Sequence, residues 1–236
     1  MFNVLQAIAA VLGTVFWVSV ASVIGLAARR VPLWLARHAW APTMLAINGV
    51  RIQVEGLEHV ARTRSQVFVA NHASTIDIPV VFRVLPVPLR FILKKELAWV
   101  LPVGFFAWLT RMIFVDRRNP EKARIALRKV AALGRRGGSI MAFPEGTRSR
   151  GRGLLPFKKG VFVAAIQAGL PVVPVAIHGA EHVLPSDSIA ARPGVVRVAI
   201  GRPIPTAGMR LEQRGALADE AHAAVAALLD ELAGRG

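Results

Sequence analysis

Residues 65–77 read SQVFVANHASTID. Val67 to Ala70 are apolar without interruption, which for so short a run indicates a strand buried on both faces. The run stops at Asn71, and His72, Ser74, Thr75 and Asp77 follow at once. Polar residues directly after a buried strand sit at its carboxyl end, where open α/β sheets build their sites. This stretch therefore predicts both a layer of the fold and the place where chemistry is done.

Working outward, the same alternation of strand and helix recurs from about Val50 onward. VRIQV (50–54), LRFIL (89–93), MIFV (112–115), SIMAF (139–143), VVPVAI (172–177) and VVRVAI (195–200) read as further strands. Asn119-Pro120 supplies an N-cap and a proline at the first helical position, ahead of EKARIALRKVAAL. Residues 161–168 form a shorter helix and 211–233 a closing one. The expected class is α/β, a mixed sheet flanked by helices on both faces. The expected division is residues 1–49 as membrane-anchoring helices and 50–236 as the α/β domain.

The N-terminal reading rests on charge. Residues 1–28 contain no charged side chain and end at Arg29-Arg30. As a helix this stretch is roughly 40 Å long, enough to cross a hydrocarbon core. Gly25-Leu26-Ala27 resembles a signal-peptide cleavage site, but no basic region precedes the apolar run. Residues 31–50 are apolar again, with Trp34 and Trp40 beside Arg37 and His38, a pattern suited to the headgroup level. A two-helix membrane anchor follows, broken near Pro32 and interrupted at Pro42. Arg29 and Arg30 place the chain after them on the cytoplasmic side of the cytoplasmic membrane.

Composition narrows the function classes. The chain of 236 residues is 54% hydrophobic and has no Cys, so disulfide scaffolds, Cys zinc sites and Cys nucleophiles are excluded. Lys and Arg number 30 against 14 Asp and Glu, a net charge of +16. Residues 83–160 hold 18 basic and 4 acidic residues, so the middle of the chain carries most of the excess. Such a segment seeks anions: nucleic acid, anionic lipid headgroups or phosphorylated substrates. A nucleic-acid reader would interleave stacking aromatics with its basic residues. Here Tyr is absent and Trp99 and Trp108 lie in apolar runs, so no nucleic-acid partner is expected.

Three loops after strands carry candidate chemistry. In the first, His72 is suited to take a proton near neutral pH, and Asp77 could fix its tautomer. Ser74 and Asp77 also fit a capping box, and the residues alone leave both readings open. No G-x-S-x-G accompanies them, so a base acting on a substrate hydroxyl is favoured over a covalent route. In the second, FPEGTRS (143–149), Gly146 permits a tight turn with N–H groups free for an anion, and Thr147 and Arg148 add donors. Arg150, Arg152, Lys158 and Lys159 raise the potential, although a solvated basic loop, or an Arg148–Glu145 pair, reads equally from composition. The third is FVDRR (114–118), where Asp116 could pair locally with Arg117 or Lys122. His59, His178, His182 and His222 read as surface or packing residues.

Taken in order, NHASTID, FVDR, FPEGTRS and LPVVPVAI (170–177) resemble the four blocks of the glycerolipid acyltransferase family typified by 1-acyl-glycerol-3-phosphate acyltransferase. The resemblance covers about residues 50–205. It implies His72 as general base and Asp77 as its partner. It implies an acceptor site from Arg117, Glu145, Gly146, Thr147 and Arg148, with Arg148 and Arg117 on the phosphate and Lys94 and Lys95 assisting. Pro171 and Pro174 belong to the block linked to the acyl donor. One departure is visible: many members carry a Gly shortly before the Phe of the second block, where this chain reads LTRMIF (109–114). The implied partners are a membrane bilayer, lysophosphatidic acid, and acyl-CoA or acyl carrier protein as co-substrate. The resemblance implies no cofactor and no metal. A sister activity on glycerol-3-phosphate or a lyso-aminolipid is the alternative, and a non-catalytic basic membrane protein a remote one.

Overall fold

The computed structural model describes residues 2–116 and 119–235. The chain opens with helix α1 (Phe2–Ala27), then α2 (Val31–Leu35), a π-helical turn (Ala36–Trp40) and α3 (Ala41–Ile47). There follow β1 (Val50–Glu55), β2 (Val67–Ala70), α4 (Asp77–Val84), β3 (Leu89–Lys94), α5 (Val103–Leu109) and β4 (Ile113–Val115). The remainder is α6 (Pro120–Arg135), β5 (Ser139–Ala142), α7 (Gly160–Ala168), β6 (Val172–His178), α8 (Ala180–Val183), β7 (Gly194–Ile200) and α9 (Arg214–Ala233). All seven expected strands form.

They make one sheet in the order β1-β7-β6-β2-β5-β3-β4. Every neighbouring pair is parallel except β6 with β7, so the sheet is mixed, as expected. Both faces are covered. Along β2, Phe68 and Ala70 enter the core shared with α4 and the N-terminal helices. Val67 and Val69 enter the core shared with α6, α7 and α9. Period-two alternation with both faces apolar is the physical reason for the unbroken run.

Local signals explain the helices. The Asn119 side chain accepts from the Lys122 N–H at 3.0 Å, capping α6. Glu121 in its first turn and Arg135 in its last complement the helix dipole. Pro42 was expected to interrupt the second apolar segment, yet helix continues through it. The π turn just before it, in which the Ala41 N–H reaches the Ala36 carbonyl, widens the backbone ahead of the proline ring. The sequence reading left α5, α8 and a 3₁₀ turn at Lys95–Trp99 without assignment, since none is long enough to show a period.

α1 is long and apolar enough to cross a membrane by length and composition. Its small face packs inward: Gly25 sits where a Cβ would collide with Leu109 of α5 and Pro32 of α2. Trp17 Nε1 donates to Thr43 Oγ1 at 3.1 Å, tying α1 to α3. Trp40 meets Phe82 of α4 edge-on at 5.6 Å, so the N-terminal helices share a core with the sheet.

One side chain locks two strands where the site begins. Asn71, buried at the end of β2, donates to the Ile177 carbonyl and accepts from the Ile177 N–H, both at 2.8 Å. Its amide continues the ladder between β2 and β6 after the backbone of β2 has turned away. Asn71→Ala would leave both Ile177 groups unpaired and should lower stability by about 2–4 kcal/mol. Denaturant unfolding in detergent measures this; a loss under ~0.5 kcal/mol would show that water replaces the clamp.

Candidate active site

His72 leaves β2 into a loop that Asp77, the first residue of α4, organises from beneath. Asp77 is completely buried. Its Oδ2 accepts from the Ala73 and Ser74 N–H groups at 2.8 and 2.9 Å and pairs with His72 Nδ1 at 2.8 Å. Asp77 thus performs both tasks that the residues left open: it caps the turn and holds the imidazole. The Ser74 half of the capping box differs from expectation. Its hydroxyl donates to the Leu184 carbonyl at 2.6 Å and accepts from the Ile76 N–H, tying the loop to the end of α8.

In the tautomer that donates Nδ1–H to the carboxylate, Nε2 is the ring nitrogen left to accept, and His72 keeps 17% of its side chain exposed. The other face of the ring is stacked on Phe143, centroids 4.2 Å apart and planes 16° from parallel. Clamped between a carboxylate and an aromatic platform, the imidazole presents one orientation.

The FPEGTRS loop leaves β5, which pairs in parallel with β2, so both loops emerge at the same sheet edge. Backbone contacts join them. The His72 N–H donates to Glu145 Oε1 at 2.6 Å, and the Ser149 N–H donates to the His72 carbonyl at 2.8 Å. Glu145 Oε2 accepts from the Leu155 N–H at 3.2 Å. Glu145 is buried with both oxygens on backbone donors, so in this geometry it braces the two loops. Gly146 adopts φ +79°, and a Cβ there would come within 2.6 Å of Lys158 Nζ. Arg148 does not pair with Glu145. Its Nη1 donates to Thr75 Oγ1 at 2.9 Å, which sets the guanidinium beside the His72 loop. Thr147 is exposed next to it.

The other candidates lie around this centre. Lys94 ends β3, which pairs with β5 on the side away from β2, and Lys95 opens the 3₁₀ turn that follows. Lys94 is exposed, and Lys95 Nζ binds Asp116 Oδ2 at 2.7 Å. Arg117 falls outside the described residues. The fourth block is the central strand β6; Val69 pairs with Pro174, and the strand reaches the site through the Ile177 backbone held by Asn71. A cavity of about 350 Å³ opens next to Phe143 and Gly146, lined by Ile92, Val115, Leu127 and Lys158 among others. No group of three His, Asp or Glu suited to a metal exists among the described residues. Asn71 and Phe143 were quoted within the motifs but given no task by the sequence reading. Their positions at strand ends were the available signal.

Both carboxyls titrate above the usual range. Burial raises Asp77, with one oxygen left without a partner, while the His72 and backbone hydrogen bonds pull the other way. Burial likewise raises Glu145, opposed by the His72 and Leu155 N–H groups and by the His72 ring, and assisted by the negative charge of Asp77.

A His–Asp pair at the carboxyl edge of a mixed sheet is an arrangement suited to general-base chemistry on a bound hydroxyl. Comparisons with known proteins give the family. Residues 51–178 match the family model described as Acyltransferase. The chain is 32% identical over 193 residues to human 1-acyl-sn-glycerol-3-phosphate acyltransferase alpha, covering 80% of this chain and 68% of that protein. It is 43% identical over 112 residues to the Escherichia coli 1-acyl-sn-glycerol-3-phosphate acyltransferase, covering 47% and 46%. The crystal structure of PlsC from Thermotoga maritima, a 1-acyl-sn-glycerophosphate (LPA) acyltransferase, superposes with a TM-score of 0.85. That match has 26% identity and covers 100% of this chain and 96% of that one. The chain belongs to the acyltransferase family, and it is an enzyme.

The raised carboxyls make a pH prediction. A carboxyl whose folded pKa lies above its unfolded value binds its proton more tightly in the folded state. Stability is then lost as pH rises from about the unfolded value, 4.5 for Glu145, through the raised folded value. Glu145→Gln removes that component. Between about pH 4.5 and pH 8, the Tm of the wild type should fall further than that of Glu145→Gln. Equal slopes in scanning calorimetry would show that Glu145 titrates as an ordinary surface carboxyl.

Proposed function

We propose that the enzyme transfers a fatty acyl group from an acyl thioester, acyl-CoA or acyl carrier protein, to the sn-2 hydroxyl of 1-acyl-sn-glycerol-3-phosphate, yielding phosphatidic acid. One observation supports the reading: the Arg148–Thr75 contact holds a guanidinium, a group suited to phosphate, against the loop that carries the His72–Asp77 pair. The acceptor carries a phosphate and a hydroxyl on one short glycerol backbone, and it needs a cation and a base from neighbouring loops.

In this reading His72 Nε2 takes the proton of the acceptor hydroxyl as its oxygen attacks the thioester carbonyl. Buried Asp77 stabilises the imidazolium. The tetrahedral intermediate collapses, the C–S bond breaks, and the thiolate leaves with the proton from His72. A thiol leaves readily, so the proposal invokes no metal and no cofactor. Arg148 holds the phosphate through the planar fork suited to it, with Thr147 and the Gly146 turn beside it and Lys94 and Lys95 adding field; Arg117 is assigned to the same phosphate by the family resemblance alone. Glu145 acts on the acceptor indirectly, by holding the loop that carries Gly146, Thr147 and Arg148 to the His72 backbone. The cavity beside Phe143 takes apolar chain. Residues 1–49 hold the enzyme on the cytoplasmic face of the membrane, where the acceptor lies and a basic surface gains about 1 kcal/mol per Lys or Arg near anionic lipid.

Purified enzyme offered lysophosphatidate, glycerol-3-phosphate and a lyso-aminolipid with each donor should form phosphatidate and release thiol. Transfer confined to either other acceptor overturns the proposal. His72→Ala should lower kcat by at least ~100-fold, the typical share of a general base. Arg148→Lys should reduce kcat/KM for lysophosphatidate, and Arg148→Ala further, by about 10- to 150-fold, the equivalent of ~1.5–3 kcal/mol. Acceptor-independent donor hydrolysis should be spared in both Arg148 variants. Equal loss in the two reactions would give Arg148 a purely structural task.

A further inference from the structure

Residues 97–108 read LAWVLPVGFFAW and leave β3 at its carboxyl end. Their surface is unlike the rest of the α/β layer. Trp99 is 89% exposed, Leu101 78% and Trp108 66%, with Val100, Leu97 and Phe105 also open. Single exposed apolar residues are ordinary, but a contiguous group with two tryptophans marks a surface that something covers. The group is rigid. Gly104, in the first turn of α5, lies so close to the 3₁₀ turn that a Cβ would collide with the Ala98 carbonyl, and Phe105 stacks on Trp108 at 5.8 Å.

We infer that residues 97–108 form a second membrane-contact element, which inserts Trp99, Leu101 and Trp108 into the interfacial layer of an anionic bilayer alongside α1. Continuity supports a lipid occupant: α5 packs on α1, with Leu109 against Gly25, and both packed helices expose apolar side chains, Trp108 on α5 and Val23 and Leu26 on α1. Charge supports it too. Lys94 and Arg111 flank the segment, and Arg29 and Arg30 close α1, all of them exposed. Tryptophan at headgroup depth with cations beside it fits anionic lipid. A second copy of this chain would face these cations with its own.

The element has a consequence for catalysis. β2, β5 and β3 are mutually parallel, so the His72 loop, the FPEGTRS loop and residues 95–99 all leave the same sheet edge. A single helix in a bilayer is one line of attachment, about which the whole protein can tilt and turn. A second contact at the active edge fixes that edge toward the headgroups, where a lipid acceptor presents its phosphate and hydroxyl. The inference rests on the acceptor and bilayer reading proposed above.

The test uses the full-length enzyme and Trp99→Ser/Leu101→Ser, two substitutions at exposed positions. Both proteins are assayed on lysophosphatidate embedded in phosphatidylglycerol–phosphatidylcholine vesicles and on a short-chain lysophosphatidate kept monomeric in solution. The expected result is a kcat/KM at least about tenfold lower on vesicles and changed by less than about twofold on the monomeric acceptor. Unchanged activity on vesicles, with both proteins floating alongside them, overturns the inference and leaves the bilayer reading standing. A wild type that does not float with vesicles overturns both. An equal fall on the two acceptors assigns the segment to the fold and overturns the inference. So does a dimeric wild type, by sedimentation in detergent, that the substitutions render monomeric.

Discussion

A carboxylate sealed from water must take its hydrogen bonds from the protein, and the donors available to Asp77 set the whole site. The Ala73 and Ser74 N–H groups bend the loop around Oδ2, and His72 Nδ1 completes the set. Because those donors come from within five residues, the loop has little freedom to rearrange without leaving the charge unpaired. That penalty is large in a low-dielectric interior. The arrangement favours the tautomer with Nδ1–H toward Asp77, which leaves Nε2 for an external group, as the proposed base would require.

Glu145 repeats the device from the neighbouring loop. It takes the His72 N–H with one oxygen and the Leu155 N–H with the other, so two buried carboxylates hold one histidine from its side chain and from its backbone. This is possible because β2 and β5 are adjacent and parallel, which brings their following loops to one edge. β6 supports the same edge from the other side, through the Asn71 amide on the Ile177 backbone. Three central strands, each with both faces buried, therefore act as the rigid base from which short loops project.

The surroundings supply field and location. The basic excess of residues 83–160 includes Lys94 and Arg148 at the active edge and Lys158 over the Gly146 turn. One face of the sheet packs on the helices that include α1, and the other packs on α6, α7 and α9. The apolar N-terminal helix is thereby joined to the catalytic layer by packing, through Gly25 with Leu109 and Trp40 with Phe82. In an enzyme whose proposed acceptor is a lipid, that joint couples the position of the anchor to the position of the site.

The amino-acid sequence by itself determined the strands, because period-two burial and unbroken apolar runs are local properties, and the α6 start, because its cap and proline are adjacent. It also located the candidate loops, since the NHASTID and FPEGTRS runs stand directly after strands. What it left open was decided by burial and by long-range pairing. Whether Asp77 caps or supports His72 has no local answer, and burial makes it do both. Whether Arg148 pairs with Glu145 or meets the His72 loop depends on Thr75, 73 residues away in the chain. The bracing by Glu145, the clamp by Asn71 and the platform under the imidazole all join β2 to strands far from it in sequence. Strand order is set by how the helices cover both faces, and no short window of residues records it.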